Sequence, residues 1–352
     1  MSTPSLSENP TMSEDLKRIL DQTSELHRDL NNSRVLVTGG TGFFGRWLLE
    51  SWVDATNALG LDRLAVVVCR DPKEFQVRVP HLADHRSVQL VRGDVLGRSP
   101  VSGAFDACIH AATAASLALS LAHPKVMFDT VVTGTSNVLD WLEPSGQVPV
   151  LFTSSGAVYG SQAPDLSGVS ETSMTGPNTL AVTSVYAEAK RAAEMLCTIA
   201  GERGLDVKIA RCFAFVGPYL PIDAHYAIGN FIRDALVGGP IEIKGDGTPV
   251  RSYLYASDLV VWLWTILLRG QRLRPYNVGG EVAIDLRALA EIVGAEAGVT
   301  VEVKGAVVPG AVAARYVPDV GRAVSELGLG VTVPLVEAIR RTISWHRAER
   351  SR

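Results

Sequence analysis

The chain has 352 residues, of which 47% are hydrophobic and 20% are charged, and its formal net charge is −4. These values are typical of a globular protein with one large core or two moderate ones, and they exclude a general attraction for nucleic acid. Because the longest strongly apolar run, residues 259–268, is too short to cross a bilayer and no secretory signal opens the chain, we expect a cytoplasmic protein.

The first 33 residues are predicted to form an N-terminal extension. Residues 1–10 are polar, whereas residues 13–30 place leucine and isoleucine at helical spacing. This spacing predicts one amphipathic helix that packs on the main body or on a partner subunit. The helix carries no chemically distinctive residue, and we interpret it as structural.

The four cysteines are scattered along the chain, at Cys69, Cys108, Cys197 and Cys212. Their spacing matches no metal-binding or redox motif. We therefore predict reduced, buried thiols and no metal site.

From residue 34 onward, short apolar runs alternate with longer segments of helical periodicity. Such alternation predicts an α/β fold in which a doubly wound parallel sheet is covered by helices on both faces. The predicted strands are residues 35–38, 64–69, 88–91, 107–111, 148–154 and 207–213, and the predicted helices are residues 127–142, 184–203, 227–237, 257–268 and 286–297. After Gly217 the pattern is less regular and richer in Gly and Pro.

The strongest local signal is the turn between the first predicted strand and the helix after it. Glycines recur there at every third position, and with their neighbours they form a candidate phosphate-binding loop of Gly39, Thr41, Gly42, Phe43, Phe44 and Gly45. Without a Cβ, the chain can turn tightly and bring its N–H groups to a pyrophosphate at the positive end of the helix. The turn predicts a dinucleotide-binding Rossmann domain over residues 34–217. Residues 218–352 would form a smaller, mainly substrate-binding region, with some segments returning to the first domain.

Tyr186 and Lys190 are four residues apart in a segment of high helix propensity, so both project from one helical face. A phenol is a poor base at neutral pH, but a nearby ammonium and the oxidised nicotinamide of a bound dinucleotide would favour the phenolate. Tyr186 is therefore a candidate acid/base. About thirty residues earlier, a predicted strand ends in hydroxyl side chains, and open α/β sheets bind ligands at such strand ends.

Together these motifs resemble those of the extended short-chain dehydrogenase/reductase superfamily, in its NAD(P)-dependent nucleotide-sugar epimerase/dehydratase family. The resemblance covers nearly all of residues 34–329 and includes the Gly-x-x-Gly-x-x-Gly spacing, Tyr186 and Lys190 in the expected order. It implies that Ser155 is the third catalytic residue. Ser155 would hydrogen-bond the reacting sugar oxygen and share its proton with Tyr186.

The same resemblance implies a tightly bound NAD or NADP. Besides the glycine turn, Tyr186 and Lys190, the residues that it assigns to the cofactor are Arg70, Asp94, Val95, Ala111, Ala112, Thr113, Phe213 and Val216. Arg70 stands where NAD-selective members carry an acidic residue, and an arginine there can pair with a 2′-phosphate. We therefore expect NAD or NADP, with a slight preference for NADP.

Two downstream stretches are similar to those that bind a nucleotide-diphosphate sugar in this family. Residues 211–218 resemble R-x-x-N-x-Y-G-P, and residues 245–258 resemble G-D-G-x-x-x-R-x-[FY]-x-[FY]-x-x-D, in which Arg251 would pair with the diphosphate. The usual asparagine is Ala214 here, so we expect Asn230 or His225 to take its place. The predicted substrate residues are Ser155, Gly156, Ala157, Ala214, Asn230 and Arg251.

Gly156 and Ala157 stand where dehydratases of this family carry an Asp-Glu pair and where the decarboxylases keep the glutamate. We expect that without a carboxylate neither elimination nor decarboxylation has its usual acid/base group. The sequence therefore predicts a 4-epimerase: Tyr186 removes the proton of the 4-hydroxyl, and hydride leaves for the cofactor and returns to the other face of the 4-keto sugar.

Three alternatives remain open. The first is a nucleotide-sugar 4,6-dehydratase or decarboxylase that recruits Glu188 or Glu171, and the second is an NADPH-dependent keto-sugar reductase. The third and most distant is a cofactor-sensing protein without catalysis. Relatives commonly dimerise through two helices per subunit, which match residues 127–142 and 184–203, so we expect a homodimer with no nucleic-acid or membrane partner.

Overall fold

The structure is a computed structural model that describes residues 10–113, 121–224, 226–308 and 310–351. The polar segment 1–9 and His225 lie outside these ranges. The strands are β1 (Arg34–Thr38), β2 (Leu64–Cys69), β3 (Val88–Arg92), β4 (Ala107–His110), β5 (Pro149–Ser155), β6 (Asp206–Cys212), β7 (Phe215–Val216), β8 (Ile241–Ile243), β9 (Val250–Arg251), β10 (Leu254–Tyr255), β11 (Pro275–Val278), β12 (Ile284–Asp285), β13 (Val301–Val303) and β14 (Arg315–Tyr316). The α-helices are α1 (Pro10–Asp29), α2 (Phe43–Leu59), α3 (Pro72–Arg78), α4 (Pro80–Ala83), α5 (Pro124–Trp141), α6 (Val185–Glu202), α7 (Ala227–Leu236), α8 (Ala256–Arg269), α9 (Leu286–Ala297), α10 (Gly321–Leu327) and α11 (Leu335–Arg350).

Seven parallel strands form the central sheet, in the order β3-β2-β1-β4-β5-β6-β11. Strands β1, β2 and β5 are apolar runs that are buried along nearly their whole length, as expected for a sheet covered on both faces. The strand order reverses between β1 and β4, and open sheets bind ligands at the carboxyl ends of the strands at such a point. The doubly wound α/β fold predicted from the sequence is confirmed.

Helices cover both faces of this sheet. On one face, α5 and α6 pack against each other and bury a cluster that includes Val131 and Cys197. On the other face, α2 and α8 contribute large side chains such as Trp47, Trp52 and Trp264, and α1 packs against both helices.

Within the described ranges, no helix is both long and apolar enough to cross a membrane. The same residues bring together no group of three or more His, Cys, Asp or Glu side chains that could hold a metal ion. All four cysteines are buried as free thiols.

Helix α1 is an integral part of the core. Its apolar face, which includes Met12 and Leu16, is buried against α2 and α8. Asp15 on the same face is fully buried, and it accepts hydrogen bonds from the Tyr255 hydroxyl at 2.6 Å and from the Arg341 guanidinium at 2.5 Å. These bonds tie α1 to β10 and to the C-terminal helix α11. Burial outweighs both partners and raises the pKa of the Asp15 carboxyl to about 6.

His27, near the end of α1, is buried as a neutral ring. The Arg63 guanidinium donates to His27 Nδ1 at 3.1 Å, and because arginine can only donate, Nδ1 must be the acceptor. The His27 ring meets Trp264 edge-on at 5.1 Å, and Arg63 lies 3.7 Å from the Trp52 ring centroid. Burial, with a smaller contribution from the Arg63 charge, lowers the pKa of His27 to about 3.

After β6, helix α8 and strand β11 belong to the main sheet and its covering layer. The helices α7, α9 and α11 form a smaller region with its own core, around side chains such as Phe231, Leu289 and Ile339. Short strands pair within this region. Strand β9 pairs antiparallel with β12 and parallel with β14, so that Arg251 lies opposite Tyr316. The backbone ladder therefore holds these two residues at fixed register near the carboxyl end of the main sheet.

Replacing His27 by leucine is expected to flatten the loss of stability in acid. Because the folded pKa of about 3 lies below the unfolded value of 6.5, the His27 contribution is complete above pH 6.5 and is lost as the pH falls toward 3. Between about pH 5.5 and 4.5, the free energy of unfolding of the wild type should fall by about 1.4 kcal/mol more than that of His27→Leu. Urea unfolding at the two pH values measures this difference.

The matched control is His123→Leu, which removes an exposed histidine and should keep the wild-type acid slope. Equal slopes for the wild type and His27→Leu would contradict the assignment of a buried, neutral ring.

Candidate active site

The glycine turn lies at the carboxyl end of β1, directly before α2. Gly39 has φ +75°, which L side chains rarely adopt, and a Cβ on it would lie 2.4 Å from the Ala111 backbone. A Cβ on Gly45 would lie 2.3 Å from the Gly39 oxygen. Gly42 is the N-cap residue of α2 and provides no side chain to bond the first helical N–H groups. These groups are available for a pyrophosphate, so the turn fits a dinucleotide.

The ends of β2 and β3 provide the candidate contacts for an adenosine. Arg70 is exposed after β2, whereas the Asp71 carboxylate is engaged as the N-cap of α3. Asp94 is exposed after β3. Val95 is buried beneath α5, against Gly134. Arg70, the cationic side chain at the end of β2 that the sequence predicts to contact the cofactor, is therefore accessible.

The other residues predicted for the cofactor follow the carboxyl ends of β1, β4 and β6, with one exception. They are Thr41, Phe43 and Phe44 at the start of α2, Ala111, Ala112 and Thr113 after β4, and Phe213 after β6. Val216 is fully buried in the core of the C-terminal region, so its side chain cannot contact a cofactor and only its backbone is available.

Lys190 is buried, with 2% of its surface exposed, one turn after Tyr186 on α6. Its ammonium donates to the Thr153 carbonyl of β5 at 2.7 Å and to the Thr113 hydroxyl at 2.9 Å. It also lies 4.7 Å from the centroid of the Phe152 ring. Burial lowers the pKa of Lys190 to about 8. The lysine thus links α6, β5 and the loop after β4 at the edge where a cofactor would lie.

Tyr186 and Ser155 are brought together at the carboxyl end of β5. The Ser155 side chain is close enough to the Tyr186 phenol to lower its pKa, and its hydroxyl accepts from the Ala157 N–H at 3.2 Å. Burial nevertheless raises the pKa of Tyr186 above its usual value. The Lys190 ammonium does not offset this effect, because its Nζ lies 6.0 Å from the ring centroid and donates to its own two acceptors. The sequence predicts that the ammonium and an oxidised nicotinamide favour the phenolate; in the protein alone, burial is the stronger effect.

Tyr316 is a third hydroxyl in this cluster, and the sequence motifs give no indication of it. Its oxygen lies 3.5 Å from Ser155 Oγ and 3.5 Å from the Cys212 carbonyl, and the Ala157 N–H is directed at it. Tyr316 is 161 residues away from Ser155 in the chain. The pairing of β14 with β9 and the hydrogen bonds of Val317 to Gln162 and Val169 bring it to the site.

The segment that would hold the missing carboxylates is filled by aromatic rings. A Cβ on Gly156 would lie 2.6 Å from the Phe213 ring, and Phe213 packs against Tyr316 with centroids 4.7 Å apart. Any larger residue at position 156 therefore requires Phe213 to move. Because residues 156 and 157 are glycine and alanine, this segment provides no carboxylate.

Neither glutamate that the sequence offers as a substitute base is placed for that role. Glu171 accepts from the Asn277 N–H at 2.8 Å and lies 3.7 Å from Arg322. Glu188 lies 3.9 Å from Arg191 on the outer part of α6. The alternative in which one of them replaces the family's carboxylate is therefore not supported by their contacts.

Arg211, at the start of the R-x-x-N-like stretch, also has a structural role. It forms an ion pair with Glu194 at 2.7 Å and donates to the Tyr159 hydroxyl at 3.0 Å. Glu194 in turn accepts from Ser154 at 2.5 Å. This network fixes β5, β6 and α6 behind the catalytic residues.

A cleft of about 470 Å³ opens between α7 and β8. Asn230 and Phe231 line it, and Asn230 accepts from Arg233 at 3.3 Å. Ala214 lies after β6 and its carbonyl accepts from Leu254 N–H at 3.0 Å. Asn230 is therefore placed in a cleft of the size of a nucleotide-binding pocket, whereas His225 lies outside the described residues.

Arg251 stands between this region and the hydroxyl cluster. One of its nitrogens, Nη1, donates to the carbonyls of Val250 at 2.8 Å and Ala314 at 3.3 Å. Its guanidinium lies 5.9 Å from the Tyr316 ring centroid. The remaining donors of the guanidinium can pair with an anionic group.

Residues 35–279 match the model of the NAD dependent epimerase/dehydratase family. Over 264 residues the chain is 34% identical to UDP-glucuronic acid decarboxylase 4 of Arabidopsis thaliana, a match that covers 74% of this chain and 56% of that protein. Over 266 residues it is 31% identical to UDP-glucuronic acid decarboxylase 6 of the same plant, covering 75% of this chain and 74% of that one. The chain thus spans little more than half the length of the first of these relatives.

Solved structures show the same likeness. The dTDP-glucose 4,6-dehydratase DesIV of Streptomyces venezuelae, crystallised with NAD, matches with a TM-score of 0.76 and 26% identity, covering 90% of this chain and 98% of that one. The UDP-glucose 4-epimerase of Thermus thermophilus in complex with NAD matches with a TM-score of 0.74 and 26% identity, covering 89% and 99%.

Gly39→Ala is expected to raise the Kd for NAD by about tenfold or more, because its Cβ would displace the Ala111 backbone and open the turn. The matched control is Gly60→Ala, which also replaces a glycine at positive φ but whose Cβ has no atom within 4 Å. Its Kd should stay within about twofold of the wild type. Titration calorimetry with NAD measures both values, and equal affinities for the two variants would contradict the cradle described above.

Proposed function

Because the chain belongs to the NAD-dependent epimerase/dehydratase family, we propose that it decarboxylates a nucleotide-diphosphate uronic acid, with UDP-glucuronic acid as the first candidate. The observation that carries the proposal is that Ser155 lies beside Tyr186 at the carboxyl end of β5, with the buried Lys190 ammonium one turn away and bonded to the Thr153 carbonyl of the same strand. The names of the relatives support the choice of reaction, and the absence of carboxylates at positions 156 and 157 disfavours the rival elimination.

The first step in this proposal is oxidation of the substrate at C4. Tyr186 takes the proton of the 4-hydroxyl while Ser155 hydrogen-bonds the same oxygen. Lys190 holds the ribose side of the cofactor groove and adds positive charge near the phenol. When bound, the oxidised nicotinamide supplies the hydride acceptor and the further positive charge that the buried Tyr186 requires.

Decarboxylation of the oxidised sugar needs no carboxylate base. A ketone at C4 makes the C6 carboxylate a β-keto acid, so the electron pair of the C5–C6 bond can pass to the C4 oxygen as CO₂ leaves. Elimination of water differs, because a base must remove the C5 proton and an acid must protonate the leaving hydroxyl. Gly156 and Ala157 are therefore compatible with decarboxylation. The expectation that decarboxylation requires a carboxylate at this position was too strict.

A second candidate is 4-epimerization, which is favoured by the same absence of carboxylates at positions 156 and 157. An epimerase uses the same oxidation at C4 and then returns the hydride to the other face of the ketone. The two candidates differ in what they require of the substrate, because only the decarboxylase needs a carboxylate at C6.

The cleft and Arg251 provide the proposed binding site for the nucleotide. We expect the base to enter the cleft beside Asn230 and Phe231, and the diphosphate to pair with the remaining donors of Arg251. Arg251 is held in β9 at the register of Tyr316, so the diphosphate would lie next to the hydroxyl cluster. This arrangement orients the sugar toward Ser155.

A homodimer is also proposed, formed by the outer faces of α5 and α6. These two helices pack side by side and leave four large apolar side chains at least one-third exposed, namely Val126, Phe128, Met195 and Ile199. A pair of such helices from each subunit would bury these side chains in a four-helix bundle.

Arg70 is expected to allow NADP to bind in addition to NAD, because its guanidinium can pair with the 2′-phosphate. Arg70→Ala should raise the Kd for NADP about tenfold and leave the Kd for NAD within about twofold. Arg272→Ala, which removes an exposed arginine on the loop before β11, is the control. Fluorescence titration with both dinucleotides measures the ratio, and an unchanged NADP affinity in Arg70→Ala would contradict this role.

Incubation of the wild-type protein with NAD and UDP-glucuronic acid is expected to release CO₂ and to form a UDP-pentose. Tyr186→Phe should lower kcat by about a thousandfold or more, because it removes the phenol that takes the proton of the 4-hydroxyl in the proposed first step. Headspace CO₂ and NMR of the sugar measure both. Tyr276→Phe, which removes a buried phenol bonded to Glu326, should keep kcat within about threefold.

The outcome separates the candidates. A UDP-galacturonic acid product without CO₂ would favour the epimerase, and turnover of neither UDP-glucuronic acid nor UDP-glucose would contradict both.

A further inference from the structure

Three hydroxyl groups meet at the carboxyl end of β5, and the proposed oxidation uses only two of them. Ser155 lies beside Tyr186, and the proposed reaction assigns both to the oxygen at C4. The Tyr316 oxygen lies 3.5 Å from Ser155 Oγ on the side of Ala157. With the C4 oxygen of the sugar at Ser155 and Tyr186, as proposed, the Tyr316 hydroxyl would lie beside the carbon atoms next to C4.

The fold holds this phenol in place from two sides. Its ring packs on Phe213 at 4.7 Å between centroids, and Phe213 fills the space that Gly156 leaves open. Its backbone pairs with β9 opposite Arg251. Strand pairing thus places Tyr316 beside Arg251, the proposed diphosphate contact. Packing through Phe213 places it near Gly156, where the family's dehydratases carry a carboxylate.

The proposed reaction, on which this inference rests, has a proton requirement that the first two hydroxyls do not meet. Loss of CO₂ leaves an enolate across C4 and C5, and C5 must then take up a proton before C4 is reduced again. The described residues offer no carboxylate at positions 156 and 157, and Glu171 and Glu188 are engaged elsewhere. Tyr316 is the remaining O–H group bonded to the cluster.

We propose that Tyr316 is a second catalytic residue that protonates C5 of the enolate after decarboxylation. As the C4 carbonyl re-forms, the enolate electron pair makes a C5–H bond with the Tyr316 proton, and the O–H electron pair remains on the phenolate. Solvent water then returns a proton to the phenolate. Over the whole reaction the C5–C6 bond is replaced by a C5–H bond, and one proton is taken from water for each CO₂ released.

The surroundings of Tyr316 suit an acid of this kind. Burial raises the pKa of Tyr316 to about 12, so the phenol is protonated at neutral pH and can donate. The phenolate that donation leaves behind is stabilised by the Ala157 N–H, the Ser155 hydroxyl and the charge of Arg251. Besides these groups, the titratable side chains that face it are Tyr186 and Cys212.

The test is to run the reaction in D₂O with NAD and UDP-glucuronic acid and to locate deuterium in the UDP-pentose by NMR. The wild type should place one deuterium at C5 in a single configuration. Tyr316→Phe keeps the ring and its packing, so it should lower kcat about a hundredfold while KM stays within about threefold. Its residual product should carry deuterium in both configurations at C5, because solvent then protonates the enolate from either face.

Controls separate this role from folding. Tyr316→Phe should unfold within about 3 °C of the wild type. Tyr276→Phe loses a phenol distant from Ser155 and should keep the single C5 configuration.

Three outcomes would overturn the inference. Wild-type rate and stereochemistry in Tyr316→Phe would exclude Tyr316 as the donor, with the proposed decarboxylation intact. A lower rate in Tyr316→Phe with deuterium still in a single C5 configuration would show that another group donates this proton. A wild type that releases no CO₂ would overturn the proposed function itself, and this role with it.

Discussion

The site depends on the burial of one ammonium group. Lys190 is 2% exposed, and among the described residues its ammonium contacts no carboxylate but donates to the Thr153 carbonyl and the Thr113 hydroxyl. An apolar side chain would fill the same space at a lower desolvation cost. The lysine is therefore best explained by function. By bonding β5 and the loop after β4 at once, it fixes the first turn of α6, and with it Tyr186, against the strand that ends in Ser155.

The second determinant is what occupies the place of the missing carboxylates. Gly156 allows the Phe213 ring to approach, and Phe213 supports Tyr316, so two aromatic rings take the space where a carboxylate pair would stand. This exchange removes a base and leaves a phenol that is protonated at neutral pH. We expect a site of this composition to support oxidation at C4 and the donation of protons, but not the removal of a proton from carbon. The two proposed reactions, decarboxylation and epimerization, require no such removal, whereas dehydration does.

Much of this could be predicted from local sequence patterns. Six of the seven strands of the central sheet, the glycine turn and the Tyr186–Lys190 pair are specified within short segments, because the period of the apolar residues and the need for positive φ at Gly39 are local properties. Strand β11, which completes the sheet, was not predicted. The same patterns indicated the family and the parallel sheet.

What could not be predicted depends on contacts between distant segments. Tyr316 reaches Ser155 through the pairing of two-residue strands and through single hydrogen bonds to distant loops, and such contacts leave no periodic signal in the sequence. The anchoring of α1 by Asp15 joins residues that are more than 300 positions apart, so the sequence indicated an amphipathic helix without its partner. The assignment of the reaction from the missing carboxylates alone confused the requirements of elimination with those of decarboxylation, which differ in whether a C5 proton must be removed.

The most direct test of the account is to follow the hydrogen at C4. With UDP-glucuronic acid deuterated at C4 and unlabelled water, the account predicts that CO₂ is released and that the UDP-pentose keeps the deuterium at C4, because the same hydride leaves and returns within one turnover. Two results would contradict the account. One is a UDP-pentose that has lost this deuterium to solvent, and the other is recovery of the deuterated substrate unchanged after incubation with folded, NAD-loaded protein.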